Sequence, residues 1–304
     1  MAAKDKSELF VNKQGGGIHI VPDDAVITGD VFFVDSGGGG ADTAGYGRHP
    51  ESPCLTIDYA VGLCVAARND IIYVMPGHAE TLSAGGECVL DVQGISVIGL
   101  GWGADKPAIT FDTAIGADVD IDADNVLIEN ITFIAGFDDI TNAIDVNADD
   151  FTIRNCEFRV TGTFNFLVCI QDAAAGGSDR ITIENCYQLD RDASNTHFVN
   201  FAGTGDGHIV RDNILLGDYG TMCIGGAGVV TNATVTGNLI SSAANTVDSM
   251  VNFDATATGI VAHNIGGGAA AVANGFLATA MINVENYYQL VTADLSGVLD
   301  PIAT

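Results

Sequence analysis

Residues 151–158 read Phe-Thr-Ile-Arg-Asn-Cys-Glu-Phe, and this octet decides the fold. Phe151 and Ile153 fall on one side of an alternating strand, while Cys156 and Phe158 resume the alternation one residue out of phase. Such a phase shift means that the chain turns a corner at Asn155. Asn tolerates the left-handed backbone conformation better than other non-glycine residues, which suits it to that corner. The same pattern recurs as VLIENITF, ITIENCYQ, HIVRDNIL, ATVTGNLI, GIVAHNIG and INVENYYQ. Its asparagines are Asn130, Asn155, Asn185, Asn213, Asn238, Asn264 and Asn286, spaced by 25, 30, 28, 25, 26 and 22 residues. A motif repeating every 20 to 50 residues or so marks a repeat architecture. No unit has a helical pattern, so the expected fold is all-β, a parallel β-solenoid whose asparagines stack and hydrogen-bond along its axis.

Further strands extend the pattern outward from these octets. VDIDA, AIDVNA, LVCIQDA, HFVNFAG and SMVNFDA each precede an Asn-containing strand by a short loop. ISVIGLG reads as a degenerate first turn with Gly99 near the Asn position. If each Asn marks the corner, the next residue points inward, giving one interior column of Ile131, Cys156, Cys186, Ile214, Leu239 and Ile265. A single turn cannot bury its own face and needs neighbours. At roughly 4.8 Å per turn, about eight turns would make a rod near 40 Å tall. One helix is expected, around residues 54–67, where Leu55, Tyr59, Leu63 and Ala66 share a face and Thr56 or Ser52 can cap its start. Residues 1–30 do not fit the repeat and read as an N-terminal arm. The solenoid then spans 31–290, and 291–304 forms a tail.

Charge restricts the partners. The chain of 304 residues has 39 acidic against 11 basic side chains, a formal charge of −28. Such a surface repels nucleic acid, whose binding needs Lys and Arg clusters. The residues after Arg211 contain no Lys or Arg, and Lys4, Lys6 and Lys13 of the arm are three of the four lysines. That makes the arm the candidate for contact with another subunit. No uninterrupted apolar stretch approaches the roughly 18 residues of a membrane span, and the first residues lack the apolar core of a secretory signal. Seven cysteines, without paired spacing, point to reduced core thiols in a protein made in a cytoplasm.

PESPCLTIDYAVGLCVAARNDIIYVMPGHAETL, a helix and then a strand ending in Pro-Gly, resembles the opening of pectate-lyase-like right-handed parallel β-helices. In that family the helix caps the N-terminal end of the solenoid. IIYVMPGHAETL, the DVxADxxxIxN turn and the ending ENYYQL…SGVLDP look like β-helix proteins encoded in tailed-phage genomes. That resemblance implies a virion structural protein that decorates or cements a capsid, and by analogy a homotrimer contacting the phage major capsid protein on the head surface.

The alternative is a tailspike-like depolymerase or lyase acting on polysaccharide through acidic residues of a β-helix face. Asp149-Asp150 and Gly205-Asp206-Gly207-His208, with Arg211 close behind, supply carboxylates, a histidine and an arginine. The Asn-Thr-Asp motif of β-helical galacturonases is absent, and the aspartate pair recurs loosely as Asp122 and Asp124, as repeat chemistry would. No catalytic set and no organic cofactor is therefore expected. Asp118, Asp120, Asp122 and Asp124 alternate along one strand and would line one face, where Ca²⁺ could neutralise them. His78, in Pro-Gly-His, reads as a turn residue. A sugar-binding module would need a row of exposed aromatics, and the chain has one Trp.

Overall fold

The computed structural model describes residues 29–37, 39–172, 176–190, 194–242, 250–268, 275–277, 281–290 and 300–301. Three parallel sheets wrap one continuous core. From Ile71 onward, successive turns give strands to the three sheets in one recurring order. Sheet 1 has ten strands, from Val31–Val34 and Ile71–Val74 through Leu127–Glu129, Thr152–Arg154, Thr182–Glu184 and Ile209–Arg211 to Ile282–Val284. Sheet 2 runs from Ala79–Leu82 through Glu157–Val160 and Leu239–Ser242 to Tyr287–Leu290, which Asp300–Pro301 joins antiparallel. Sheet 3 has eight strands, among them Val119–Ile121, Ile140–Val146, Phe166–Asp172 and His197–Phe201. The expected β-solenoid is the observed fold.

Left-handed residues make the corners around sheet 1. On one side Asn130, Asn155 and Asn185 have φ of 59°, 56° and 53°. The strands before them are three residues long, and the alternation breaks there as the octet requires. Above Asn185 the corner passes to the residue before the motif asparagine: Asp212, Gly237, His263 and Glu285 all have positive φ. The other side has a second left-handed column, Asn125, Asp150, Arg180, Gly207 and Asn232.

This handover corrects the expected interior column. Strand pairing aligns Ile214 with Tyr187, Leu239 with Ile214 and Ile265 with Leu239, all outward positions. Ile131, Cys156 and Cys186 are buried as expected, but Ile214, Leu239 and Ile265 are exposed. The inward place in the last four turns belongs to Asn213, Asn238, Asn264 and Asn286, all buried. They form a continuous ladder. The Oδ1 of Asn238 accepts the Asn213 amide N–H at 3.1 Å, and the Oδ1 of Asn264 accepts that of Asn238 at 3.0 Å. The Asn286 Oδ1 repeats this with Asn264 at 2.9 Å. Below the ladder sulfur takes the amide's place, because Cys156 Sγ accepts the Ile131 N–H at 3.5 Å. The Cys186 N–H then donates to Asn213 Oδ1 at 2.8 Å, so thiol and amide segments join.

Phenylalanines fill the core beside this column. Phe158 stacks on Phe133 with ring centroids 5.1 Å apart and meets Phe198 edge-on at 5.5 Å. The helix is Ile57–Val61, shorter than the sequence suggests, with the Thr56 side chain accepting the Tyr59 N–H. The last bond to a carbonyl four residues back comes from Gly62, and Leu63 and Cys64 continue with tighter bonds to the Ala60 and Val61 carbonyls, three residues back. His78 closes the expected turn, its N–H donating to the Met75 carbonyl at 3.1 Å, but its side chain has a further role. It is buried, its Nδ1 accepts the Ser36 N–H at 3.0 Å and its Nε2 faces Glu80 Oε2 at 3.2 Å. The same carboxylate oxygen accepts the Ile57 N–H, tying the helix start to sheet 2.

All seven cysteines are free thiols, and burial raises their pKa, to about 11 for Cys54 and about 12 for Cys64 and Cys156. Thiolate is the reactive form. Iodoacetamide at neutral pH should therefore leave the folded chain unlabelled and label seven sites after denaturation, as counted by intact mass spectrometry.

Candidate functional site

The corner entering sheet 1 gathers a column of aspartates. Asp124, Asp149, Asp179 and Asp206 sit at equivalent positions in successive turns, each immediately before a left-handed residue. Asp124 Oδ1 accepts the Asp149 N–H at 3.0 Å, Asp149 Oδ1 that of Asp179 at 2.9 Å, and Asp179 Oδ1 that of Asp206 at 2.9 Å. The side chains of Thr231 and Asn232 then donate to Asp206 Oδ1 at 2.5 and 2.7 Å. Those two donors hold the Asp206 carboxyl below the usual carboxylate range. Arg180 crosses the column, with Nε on Asp150 at 2.5 Å and Nη2 on Asp149 at 3.3 Å. Its third partner is Asp179 at 3.5 Å.

Beside this column lies an open depression of about 520 Å³, lined by Asp149, Asp179, Asp206, Gly177, Thr204 and Gly205 among others. Two of the carboxylates that the depolymerase alternative would use, Asp149 and Asp206, are thus brought together. Two other groups that it would use are not. Arg211 projects from sheet 1 and pairs with Glu184 of the preceding turn. His208 is buried in the core, where its ring stacks on Phe201 with centroids 4.5 Å apart. The position next to it in sheet 1 is Ile181, whose N–H donates to His208 Nδ1 at 3.2 Å. Nδ1 as acceptor places the ring proton on Nε2, and burial pushes the imidazole down to about 4. Gly205 is glycine because a Cβ there would collide with this ring.

Asp172, which sequence reasoning passed over, is wholly buried at the end of a sheet 3 strand, paired in register with Phe201. Neither carboxylate oxygen has a well-formed hydrogen bond, and burial raises its pKa to about 7. A signal existed: alternation along LVCIQDA places Asp172 inward after Ile170, level with Val146 and Phe201 of the neighbouring turns. Asp179 and Arg180 were also missed. Here a signal existed: Asp124, Asp149, Asp179 and Asp206 each stand six residues before the corner at Asn130, Asn155, Asn185 and Asp212.

The alternating aspartates divide. Asp118 and Asp120 face outward on sheet 3, with Asp120 in register with Asp145 of the next turn. Burial, and then mutual repulsion, raises Asp118 to about 6 and shifts Asp120 and Asp145 upward too. Asp122 accepts from Asn147 Nδ2 at 3.0 Å, and Asp124 belongs to the corner column. Among the described residues no three His, Cys, Asp or Glu side chains are grouped to hold a metal ion. Lys4, Lys6 and Lys13 lie outside the described residues. Trp102 is exposed in a short 3₁₀ turn region, and among the described residues no helix is long and apolar enough to cross a membrane.

No protein-family model matches the chain, and no curated protein matches it by sequence. Among solved structures it is similar to a GH136 lacto-N-biosidase from Eubacterium ramulus. The likeness covers 86% of this chain and 68% of that one, at 12% identity and a TM-score of 0.31. So distant a likeness carries no argument about activity.

Proposed function

We propose that this chain is a non-enzymatic structural subunit of a phage particle, a capsid decoration or cement protein acting on the head surface beside the major capsid protein. The observation that carries the non-catalytic part is the corner column. Asp124, Asp149, Asp179 and Asp206 all accept backbone or side-chain donors from the next turn. Asp149 and Asp179 are also paired with Arg180. A glycosidase needs one carboxyl held protonated as acid beside another held ionised. Here Asp206 is pushed down rather than up, and the raised carboxyls, Asp118, Asp120, Asp145 and Asp172, lie on or beside sheet 3. The particle assignment draws on the sequence resemblance to phage-encoded β-helices. In this reading the coil is right-handed, Ile57–Val61 closes its N-terminal end, and the lysine-bearing arm meets the capsid.

Immuno-electron microscopy of purified particles containing this chain should place it on the head, at threefold or quasi-threefold positions. Its absence from particles would sink the proposal. The glycan-cleaving alternative rests on the depression that collects Asp149, Asp179 and Asp206. Assays for new reducing ends and for unsaturated products, over pectic and bacterial surface polysaccharides, should detect no turnover. Turnover abolished by Asp206→Asn would establish the alternative instead.

A further inference from the structure

Among the described residues, the longest run of exposed large apolar side chains is one outward column on sheet 2. Ile214, Leu239, Ile265 and Tyr287 stand in register in successive turns, exposed by 43%, 42%, 43% and 36%. Exposed apolar surface gathered in this way marks a contact site. The left-handed corner beside it runs in step, two residues earlier in each turn. It sets the exposed carboxylates of Asp212 and Glu285 next to the first and last members of the column. No Lys or Arg follows Arg211, which is itself engaged by Glu184, and Glu285 faces the His263 ring at 3.0 Å.

We propose that this column is a docking site for a cationic amphipathic helix of another protein. The helix lays its apolar stripe on the column and sets basic side chains against Asp212 and Glu285. The site stands whether or not the chain belongs to a phage particle. Spacing selects a helix. Neighbouring turns lie about 4.8 Å apart, so the column repeats at that distance. A helix laid along it repeats one face about every 5.4 Å, and an extended strand about every 6.7 Å. From Ile214 to Tyr287 a helix therefore falls out of step by only about 2 Å, which side chains absorb. A strand falls out by about 6 Å, more than one whole turn. Charge selects a basic partner. Two carboxylates without a Lys or Arg of their own repel an acidic surface, whether a second copy of this chain or an anionic lipid bilayer.

Fluorescence anisotropy of labelled synthetic peptides, titrated with the full chain at about 0.15 M NaCl, tests this. One peptide is a helix of leucine and lysine with its leucines on a single face. A second has the same composition in an order that scatters the leucines, and a third has glutamate in place of lysine. The first should bind, and the other two should bind about tenfold more weakly or worse. Leu239→Ser and Ile265→Ser should each weaken the first by about tenfold, and Asp212→Asn with Glu285→Gln by about threefold or more. Glu51→Gln with Asp91→Asn removes as much charge from exposed positions in the first turns, and should leave binding within about twofold. Circular dichroism melts of all the variants should match the parent and separate lost docking from lost folding. Equal binding of the two lysine peptides, or equal weakening by the two charge pairs, would reduce the effect to bulk attraction toward a charge of −28 and overturn the proposal. Failure of the first peptide to bind would also overturn it, as would equally tight binding of the chain to vesicles of anionic lipid.

Discussion

Asn238→Ala should destabilise the fold by about 3–5 kcal/mol, while Asn185→Ala costs about 1 kcal/mol. Asn238 is buried and its amide makes four hydrogen bonds. Oδ1 accepts from the Asn213 backbone N–H at 3.1 Å and from Asn213 Nδ2 at 2.9 Å. Nδ2 donates to the Val210 carbonyl at 3.0 Å and to Asn264 Oδ1 at 2.9 Å. Truncation removes all four and leaves the Asn213 N–H buried without its acceptor. Each orphaned buried polar group costs roughly 1–3 kcal/mol, which sets the larger figure. Asn185 is exposed and needs only its left-handed φ of 53°. Ala there has to adopt a conformation that costs it about 1 kcal/mol, and Asn185→Gly should cost close to nothing. Urea midpoints of the three variants measure the difference. Equal effects at Asn238 and Asn185 would show that the ladder adds nothing beyond turn geometry.

That contrast also explains how much was legible in the sequence. The fold was legible because corner and strand leave different signatures, and FTIRNCEF has both. The register of the last four turns was not, because Asn is used there for a different reason. At Asn130, Asn155 and Asn185 the residue supplies a left-handed backbone; at Asn213 and beyond it supplies a buried amide one position later. Alternation should have exposed the shift, but Ile214 and Leu215 are both apolar although one faces out and one in. The exposed isoleucines and leucine at these outward positions are what blurred the reading. For the candidate site, the aspartates near residues 149 and 206 could be picked out, but their function as turn acceptors depends on contacts between successive turns. His208 stacks on Phe201 and Asp172 pairs in register with it, contacts made between successive turns.

Asp172→Asn should stabilise the protein more as pH rises, by up to about 4 kcal/mol at pH 8, and leave stability near pH 4 almost unchanged. Asp172 is fully buried and its folded pKa is raised, chiefly by burial, from 3.8 to about 7. A carboxyl raised in this way favours folding most below its unfolded value. That contribution is lost progressively as pH climbs from about 4 through about 7, because the unfolded chain ionises freely while the folded one resists. A shift of about three pH units corresponds to roughly 4 kcal/mol, since each unit is worth about 1.4 kcal/mol. The Ser178 hydroxyl and the Ser178 and Gly203 amides ease ionisation, and burial outweighs them in holding the carboxyl at about 7. Asn keeps the shape and removes the titration. His208 acts in the opposite sense. Its folded pKa is depressed to about 4, so the stability it contributes is present above about 6.5 and is lost as pH falls toward 4. The overall charge of −28 also disfavours the compact state as carboxylates ionise, and both proteins share that background. The decisive quantity is therefore the difference between parent and variant, taken from urea titrations at pH 4, 6 and 8. A difference that stays flat across those three values would mean that Asp172 is ionised in the folded protein and that its burial is relieved by groups its surroundings do not reveal.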